Sequence, residues 1–278
     1  MYEVYPGRQI LIMTTSQCDA PCEHRSVPFV GHFAPDELYE IVQNLQKQGY
    51  RVFLDGAEPL VERGYLKSFR LANQKIVSTN GLAIASNSQF VYDIREAGIE
   101  TVGVSYHFDV QQQLSKVSPS LAEAALKIVE LAGMKARVLT TITRPYLEKI
   151  PEYCAWCVKN GFREIRFANY ISQEGAALSP DDRRRYYEII SEQREKYPVD
   201  ALRILSCGSF GFCGTFDMTC MAARDCVVLA PDKKVYSCFF QMRPESECGY
   251  YKDDQIFVKE KTVSHYNCSA HCLCLFND

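Results

Sequence analysis

The chain has 278 residues, 47% of them hydrophobic, which suffices for one large domain or one domain with a small annex. Its formal net charge of −3 gives no sign of a nucleic-acid partner or of an anionic membrane surface. Because neither a signal peptide nor an apolar run of the ~18 residues that a membrane span needs is visible, we expect a cytoplasmic protein.

A short β-rich run followed by an amphipathic helical stretch recurs six times between about residues 8 and 198. The predicted strands are near-continuously apolar, as is typical of parallel strands buried on both faces. In chain order they are QILIMTTS, YRVFLDGA, KIVSTNG, TVGVSYHF, ARVLTTIT and EIRFANY. Four of the helical stretches are expected to end at glycines, namely Gly49, Gly98, Gly133 and Gly161.

Alternating strands and helices predict a parallel sheet, open or curled into a barrel, in which ligands bind where the strands end. Cys18 and Cys22 follow the first predicted strand and are expected at that edge. After about residue 200 the helical periodicity fades, and nine of the thirteen cysteines lie between Cys207 and Cys274. Disulfides are rare in a reducing compartment, so these thiols indicate a metal-organised annex. We therefore divide the chain into residues 1–200 and 201–278.

The sequence CDAPCEHRS, residues 18–26, resembles the CxxxCxxC loop of the radical S-adenosylmethionine (SAM) enzymes. In that family three thiolates hold a [4Fe–4S] cluster whose fourth iron binds SAM. Cys18 and Cys22 match the loop, and His24 matches the residue that commonly precedes its last cysteine. Arg25 stands where the third cysteine is expected, and its protonated guanidinium does not bind iron.

Turns at the ends of the next three predicted strands support this resemblance. DGAEPL, residues 55–60, resembles the family's GGEP motif, which lines the methionine amino group of SAM and needs small residues for close approach. STNG, residues 78–81, resembles the turn after the third strand, and Ser105 resembles the polar residue that contacts the ribose. The resemblance implies that these residues bind SAM: Gly56, Ala57, Glu58, Pro59, Ser78, Asn80 and Ser105.

The arginine at position 25 leaves three accounts open. It is an altered residue in an otherwise active enzyme, or His24 supplies the third ligand in its place. Alternatively, the chain is a degenerate relative that binds SAM or a related nucleotide without radical chemistry. A buried Arg25 would then be able to pair with the SAM carboxylate, because bidentate arginine–carboxylate contacts are strong.

The run from Cys220 to Cys238 resembles the first half of a twitch or SPASM domain, a cysteine followed by a β-hairpin and a second cysteine. Lys233 stands where the turn glycine is usual, and the PDKK turn is expected to form without a positive φ. The resemblance implies one auxiliary [4Fe–4S] cluster. Its predicted ligands are Cys220, Cys238, Cys272 and either Cys268 or Cys274. A structural zinc site is the alternative, since zinc also takes four thiolates.

The resemblance thus implies an α/β fold, a partial (β/α)6 TIM-like barrel with a small cysteine-rich, twitch/SPASM-like annex. It implies an enzyme that cleaves SAM to a 5′-deoxyadenosyl radical, abstracts hydrogen from a substrate and achieves oxidation or epimerisation. Cys213 and Cys226 are candidate hydrogen donors. The expected substrate is a small molecule, carbohydrate or short peptide, and the expected electron donor is flavodoxin or ferredoxin. The alternative is a non-catalytic SAM- or nucleotide-binding protein with a structural metal site.

Two pairs of residues are weaker candidates. Cys154 and Cys157 lie three residues apart in a predicted helix, where core packing is the favoured interpretation because free cysteine is commonly buried. His107 and Asp109 follow the fourth predicted strand and face either the substrate or their own hydrogen-bond partners at the barrel rim. The first strand begins close to the N-terminus, so we expect no preceding peptide-recognition segment, which favours a small-molecule or carbohydrate substrate.

Overall fold

A computed structural model describes residues 2–3, 9–20, 22, 29–110, 114–169, 178–206, 226–237, 239, 242 and 244–258. The first-loop residues at positions 24 and 25 and most of the cysteines after residue 206 lie outside these ranges. The predicted site residues concerned are His24, Arg25, Cys213, Cys220, Cys238, Cys268, Cys272 and Cys274. Their proposed roles therefore stay predictions.

All six predicted strands are present, after a two-residue strand β1 (Tyr2–Glu3). They are β2 (Gln9–Met13), β3 (Arg51–Asp55), β4 (Ile76–Thr79), β5 (Thr101–Ser105), β6 (Lys135–Ile142) and β7 (Glu164–Asn169). The strands that follow are β8 (Arg203–Ser206), β9 (Cys226–Leu229), β10 (Lys234–Tyr236), β11 (Glu247–Lys252) and β12 (Gln255–Val258).

The helices lie between the strands as the periodicity predicts, with one short addition after β4. They are α1 (Pro35–Lys47), α2 (Leu66–Leu71), α3 (Leu82–Ser86), α4 (Phe90–Glu96), α5 (Pro119–Leu131), α6 (Ile150–Lys159) and α7 (Pro180–Lys196). The four predicted terminating glycines all have φ between 75° and 87°, which confirms their place just beyond the helix ends. None of the helices described is long and apolar enough to span a membrane.

The strands form two sheets with parallel pairing throughout the βα region. One sheet has the order β4-β5-β6-β7-β8, and the other has the order β1-β12-β11-β10-β9-β2-β3. Side chains on alternate positions of the strands pack against the helices, as Ile10, Ile12, Val52 and Leu54 do in the main core. The strand faces turned away from the helices form the inner face of the curl made by the two sheets, which is called the inner face of the sheet below. The predicted parallel α/β architecture is therefore confirmed.

Side-chain amides connect β3 to β4 at the boundary between the two sheets. Asn73 Oδ1 accepts a hydrogen bond from the backbone N of Val52 at 2.8 Å. Gln74 Oε1 accepts one from the backbone N of Leu54, and Gln74 Nε2 donates to the carbonyls of Leu54 and Ile76, the latter at 3.0 Å. Two consecutive amide side chains thus replace backbone ladder bonds and hold the two sheets together.

The C-terminal region joins the sheet through a hairpin. β9 is parallel to β2, and β10 is antiparallel to β9, so the hairpin expected between the cysteines of the C-terminal run is present. The expected turn geometry is wrong at Lys233, which adopts a left-handed φ of 64°. Lys233 Nζ contacts Glu37 Oε1 at 2.5 Å and lies 4.6 Å from the centre of the Phe33 ring, and these contacts offset the backbone cost.

The hairpin supplies part of the inner face of the sheet. A second apolar cluster forms there, separate from the core beneath the helices. Its buried members are Leu11, Met13, Phe53, Val228, Ala230, Tyr236, Phe239 and Met242. The C-terminal residues described therefore pack directly on β2 and β3, the strands that precede the predicted cluster loop and the turn of residues 56–59.

Replacing Gln74 with glutamate is expected to lower the free energy of unfolding by about 1–3 kcal/mol, because a carboxylate cannot donate to the buried carbonyl of Leu54. Urea denaturation measures the change. Gln43→Glu on α1, beside Lys47, is the matched control and should change stability by less than about 0.5 kcal/mol. Equal effects of the two substitutions would mean that the amide bridge does not stabilise the β3–β4 junction.

Candidate functional site at the strand ends

The turn after β3 is bound tightly to the segment that follows β2. Thr14 N donates to Asp55 O at 2.7 Å, and Ala57 N donates to Thr15 O at 2.9 Å. A Cβ atom on Gly56 would lie 2.8 Å from Thr14 Oγ1 and 2.9 Å from Thr15 O. Glycine is therefore required at this position by the approach of its own neighbouring strand.

Glu58 lies at the centre of this edge, with only 2% of its surface exposed. Its Oε1 accepts hydrogen bonds from Leu60 N at 3.0 Å and from Thr79 Oγ1 at 2.9 Å. Its Oε2 accepts one from Asn80 N at 2.6 Å. One carboxylate thereby ties the turn after β3 to the end of β4, since Thr79 and Asn80 belong to that end.

Burial raises the pKa of Glu58 to about 7, and the three hydrogen bonds oppose this shift without cancelling it. Nearby Asp19 adds to the rise because a second negative charge disfavours ionisation. A carboxylate has about four acceptor positions, and the protein groups described occupy three of them. A cationic group arriving beside Glu58 would lower its pKa and form a charge-assisted contact.

Cys18 lies next to Asn80, one of the residues bonded to Glu58. Its sulfur is 3.6 Å from Asn80 Nδ2 and 3.1 Å from Ala20 O. Asn80 Nδ2 also donates to Asp19 Oδ1 at 2.6 Å. The structure thus brings Cys18, Asn80 and Glu58 into one continuous set of contacts, as expected for neighbouring strand ends. Burial is the main cause that raises the pKa of the Cys18 thiol.

The remaining predicted residues occupy different parts of the same region. Cys22 is half-buried, and its sulfur lies 3.8 Å from Ser115 Oγ. Pro59 is buried beside Glu58. Ser78 and Ser105, near the ends of β4 and β5, are half-buried, and Ser78 lines a cavity on the inner face of the sheet. Cys226, a predicted hydrogen donor, lies at the start of β9, opposite the first residue of β2. It is therefore at the edge where strands begin, the far edge from the strand ends that carry the other predicted residues.

The thiols described include two of the predicted cluster ligands, Cys18 and Cys22. Within the described ranges, no three His, Cys, Asp or Glu side chains are grouped to hold a metal ion. Cys18 and Cys22 offer two sulfur ligands at the strand-end edge, which suits an iron–sulfur cluster rather than a hard cation. A third ligand and the predicted auxiliary site would have to come from residues outside those ranges.

The weaker candidates divide between core and rim. Cys154 and Cys157 are fully buried on α6, and burial raises the pKa of both thiols, so the core-packing interpretation is confirmed. His107 is buried and accepts a hydrogen bond on Nδ1 from Thr141 N at 3.1 Å. Asp109 is exposed and accepts a 3.4 Å hydrogen bond from the hydroxyl of Tyr153. His107 and Asp109 thus have partners at the rim.

Charged residues on the inner face of the sheet were not predicted from the sequence. Arg137 on β6 is buried and paired with Glu164 on β7. Asp55, at the end of β3, has a pKa raised to about 6 by burial, which the charge of Arg166 partly opposes. The available signal was an arginine within several otherwise apolar strands, since charged residues are rarely buried unless paired.

Several solved structures share this fold. SuiB from Streptococcus suis superposes with a TM-score of 0.69 at 17% identity, over 87% of this chain and 63% of SuiB. The protein anSMEcpe with bound AdoMet gives 0.68 at 17% identity, over 88% of this chain and 78% of that one. Methylornithine synthase (PylB) gives 0.50 at 13% identity, over 73% and 72%. At these identities the likeness shows the fold.

The structures of two of these proteins contain ligands. SuiB has been solved bound to S-adenosylmethionine and to its precursor peptide SuiA, and anSMEcpe with AdoMet and a Cp18Cys peptide. This chain spans less than two thirds of the length of SuiB. No protein-family model and no curated protein matches the sequence. The α/β fold, with its curled parallel sheet, is thus shared with these solved structures.

Replacing Thr79 with valine should lower the free energy of unfolding by about 1–3 kcal/mol, because it removes a donor to the buried Glu58 carboxylate. Thr140→Val is the matched control. Thr140 is equally buried, but its hydroxyl has no hydrogen-bond partner among the described residues, so its loss should be neutral or stabilising. Chemical denaturation of both variants at pH 8 measures the difference. An equal loss in both would contradict the role assigned to Thr79.

Proposed function

We propose that this chain is a radical SAM enzyme whose SAM site lies at the ends of β2, β3 and β4. The observation that carries this proposal is the contact chain from the Cys18 sulfur through Asn80 to the buried Glu58 carboxylate. A hydrogen-bonded carboxylate beside a half-buried thiol supports binding of a cationic ligand next to sulfur-bound iron. The shared fold with SuiB and anSMEcpe, both solved with this ligand, supports the same assignment.

The SAM site is proposed to use the residues of the strand-end turns. Glu58 would accept a hydrogen bond from the methionine ammonium group, for which one acceptor position remains. Gly56, Ala57 and Pro59 shape the turn that holds this carboxylate. Ser78, Asn80 and Ser105 are proposed contacts to the rest of SAM. Asn80 would act mainly by holding its neighbours in place, because its amide already bonds to Asp19 and contacts Cys18.

The radical SAM cluster would be held by Cys18 and Cys22, together with a third ligand. When bound, a reduced [4Fe–4S] cluster and SAM supply a 5′-deoxyadenosyl radical for hydrogen abstraction. Arg25 cannot coordinate iron, so the third ligand stays open between His24 and an altered arrangement around position 25. The protein surrounding the site orients SAM and excludes water through its packed strand ends.

The finer assignments also follow from the sequence resemblance. We propose a second cluster held by Cys220, Cys238, Cys272 and either Cys268 or Cys274, with flavodoxin or ferredoxin as electron donor. Cys213 is a proposed hydrogen donor, as is Cys226, although the latter lies at the far edge. Oxidation or epimerisation of a small molecule, carbohydrate or short peptide is the proposed outcome. A peptide gains support from SuiB and anSMEcpe, whose structures include bound peptides.

The alternative function is that of a degenerate SAM- or nucleotide-binding protein with a structural metal site. Arg25 favours it, because this residue replaces a cluster thiolate. A degenerate protein that binds SAM would also use Glu58, so SAM binding alone does not separate the two candidates. Only the radical enzyme predicts reductive cleavage of the bound ligand.

SAM affinity is expected to fall as the pH is lowered from 7.5 to 5.5. The pKa of Glu58 is raised to about 7, so acid protonates the carboxylate that would bind the ammonium group. If only the ionised form binds, the apparent Kd rises about tenfold per pH unit well below that pKa. Equilibrium dialysis with radiolabelled SAM measures this dependence.

Two variants control the pH experiment. Glu58→Gln should bind SAM at least about tenfold more weakly at pH 7.5 and should lose the pH dependence. Glu62→Gln removes the same charge from an exposed position in the following turn and should behave as the wild type. A pH profile that is unchanged in Glu58→Gln would show that another group binds SAM.

Restoring the missing thiol tests the radical chemistry. Arg25→Cys should raise the rate of 5′-deoxyadenosine formation under reducing conditions by at least about tenfold, because a third thiolate completes the cluster-binding loop. Arg25→Ser removes the same charge without providing a ligand and should not raise the rate. Chromatographic detection of 5′-deoxyadenosine after dithionite reduction gives the measurement. Absence of product in Arg25→Cys, with SAM still bound, would favour the degenerate alternative.

A further inference from the structure

A cavity of about 260 Å³ lies on the inner face of the curled sheet, beside the boundary of β3 and β4. It is lined at one end by residues that begin strands, including Arg51 and Thr101, and at the other by Asp55 and Ser78. Arg51 and Asp55 are the first and last residues of β3, so the cavity follows that strand for about 13 Å. It therefore extends from the strand-start edge to the residue directly before Gly56.

Positive charge dominates the wall of this cavity. The cationic side chains that line it are Arg51, Lys75, Arg137, Arg166 and Arg203. Asp55 and Glu164 are carboxylates close to these cations. Asp55 lines the cavity near Arg166, and Glu164 is paired with both Arg137 and Arg203, the latter at 3.6 Å. Among the described residues that line the cavity, cationic side chains thus outnumber carboxylates.

The charges are graded in exposure along the cavity. Arg51, Lys75 and Arg203 are exposed at the strand-start edge, whereas Arg166 is half-buried and Arg137 is only 4% exposed. Charges of one sign in a recess with apolar walls such as Phe53 and Leu11 concentrate the electric field and attract ions of the opposite sign. An anion would approach from the exposed edge and meet progressively less hydrated guanidinium groups.

We propose that this cavity binds an oxyanion, a carboxylate or a phosphate group. The arginine fork matches both groups in geometry, and the interaction strengthens where water is excluded. The volume is below that typical of sites for drug-sized ligands, so the ligand is a small anion or the anionic end of a larger molecule. Anion binding here requires neither an iron–sulfur cluster nor SAM cleavage, and it can succeed or fail independently of the proposed SAM site.

Calorimetric titration with inorganic phosphate and with citrate, at constant ionic strength in chloride, tests this site on the full chain. The Arg51→Gln/Lys75→Gln variant removes two exposed lining cations and should bind both probes at least about tenfold more weakly than the wild type. Circular dichroism verifies its fold. The Arg70→Gln/Lys159→Gln variant loses the same charge from exposed helix positions and should bind as the wild type does.

A second arm identifies the source of the anion. The phosphate titration is repeated with saturating SAM. If the anion is part of the molecule that reacts beside SAM, the affinity for phosphate should change at least threefold, because the cavity ends at Asp55, directly before the Gly56 turn of the proposed SAM site. An unchanged affinity identifies a free anion at the same site. Equal affinities of the cavity variant and the helix variant, or no wild-type binding above that of chloride, would overturn the proposal.

Discussion

The carboxylate of Glu58 joins the turn after β3 to the end of β4, the next strand in the sequence. A buried carboxylate is costly unless its oxygens accept hydrogen bonds, and Glu58 meets this requirement through Leu60, Thr79 and Asn80. Asn80 in turn contacts the sulfur of Cys18. The position of the first cysteine, the turn after β3 and the end of β4 are thus mutually dependent. The proposed SAM site is a consequence of this one arrangement.

The two edges of the sheet differ in charge because the strands carry different residues at their two ends. Small residues and carboxylates gather where β3 and β4 end, and arginines gather on the inner face where strands begin. The hairpin formed by β9 and β10 adds apolar side chains beside β2. A ligand between the edges would meet a cationic wall below and the proposed SAM site above. If both proposals hold, an anionic group bound at that wall would lie on the side of the cavity away from the proposed SAM site.

Local patterns in the sequence predicted much of the fold, but they did not predict the pairing of strands that are far apart in the sequence. The six strands of the βα region and the terminating glycines followed from apolar periodicity and left-handed turn residues. The parallel pairing of β9 with β2 joins segments more than 200 residues apart, and no local pattern encodes it. The turn carrying Glu58 was predicted from family resemblance. Its bonds to Thr79 depend on the strand register, and Lys233 adopted a left-handed conformation through tertiary contacts.

Metal analysis tests most directly whether the strand-end edge holds sulfur-bound iron beside the Glu58 turn. The wild type and a Cys18→Ser/Cys22→Ser variant are purified without oxygen and assayed for iron, sulfide and zinc. If both proposed clusters are present, the wild type should contain about eight iron atoms per chain, four for each cluster, and the variant about four fewer. Equal iron contents in the two proteins, or zinc without iron in both, would contradict this account.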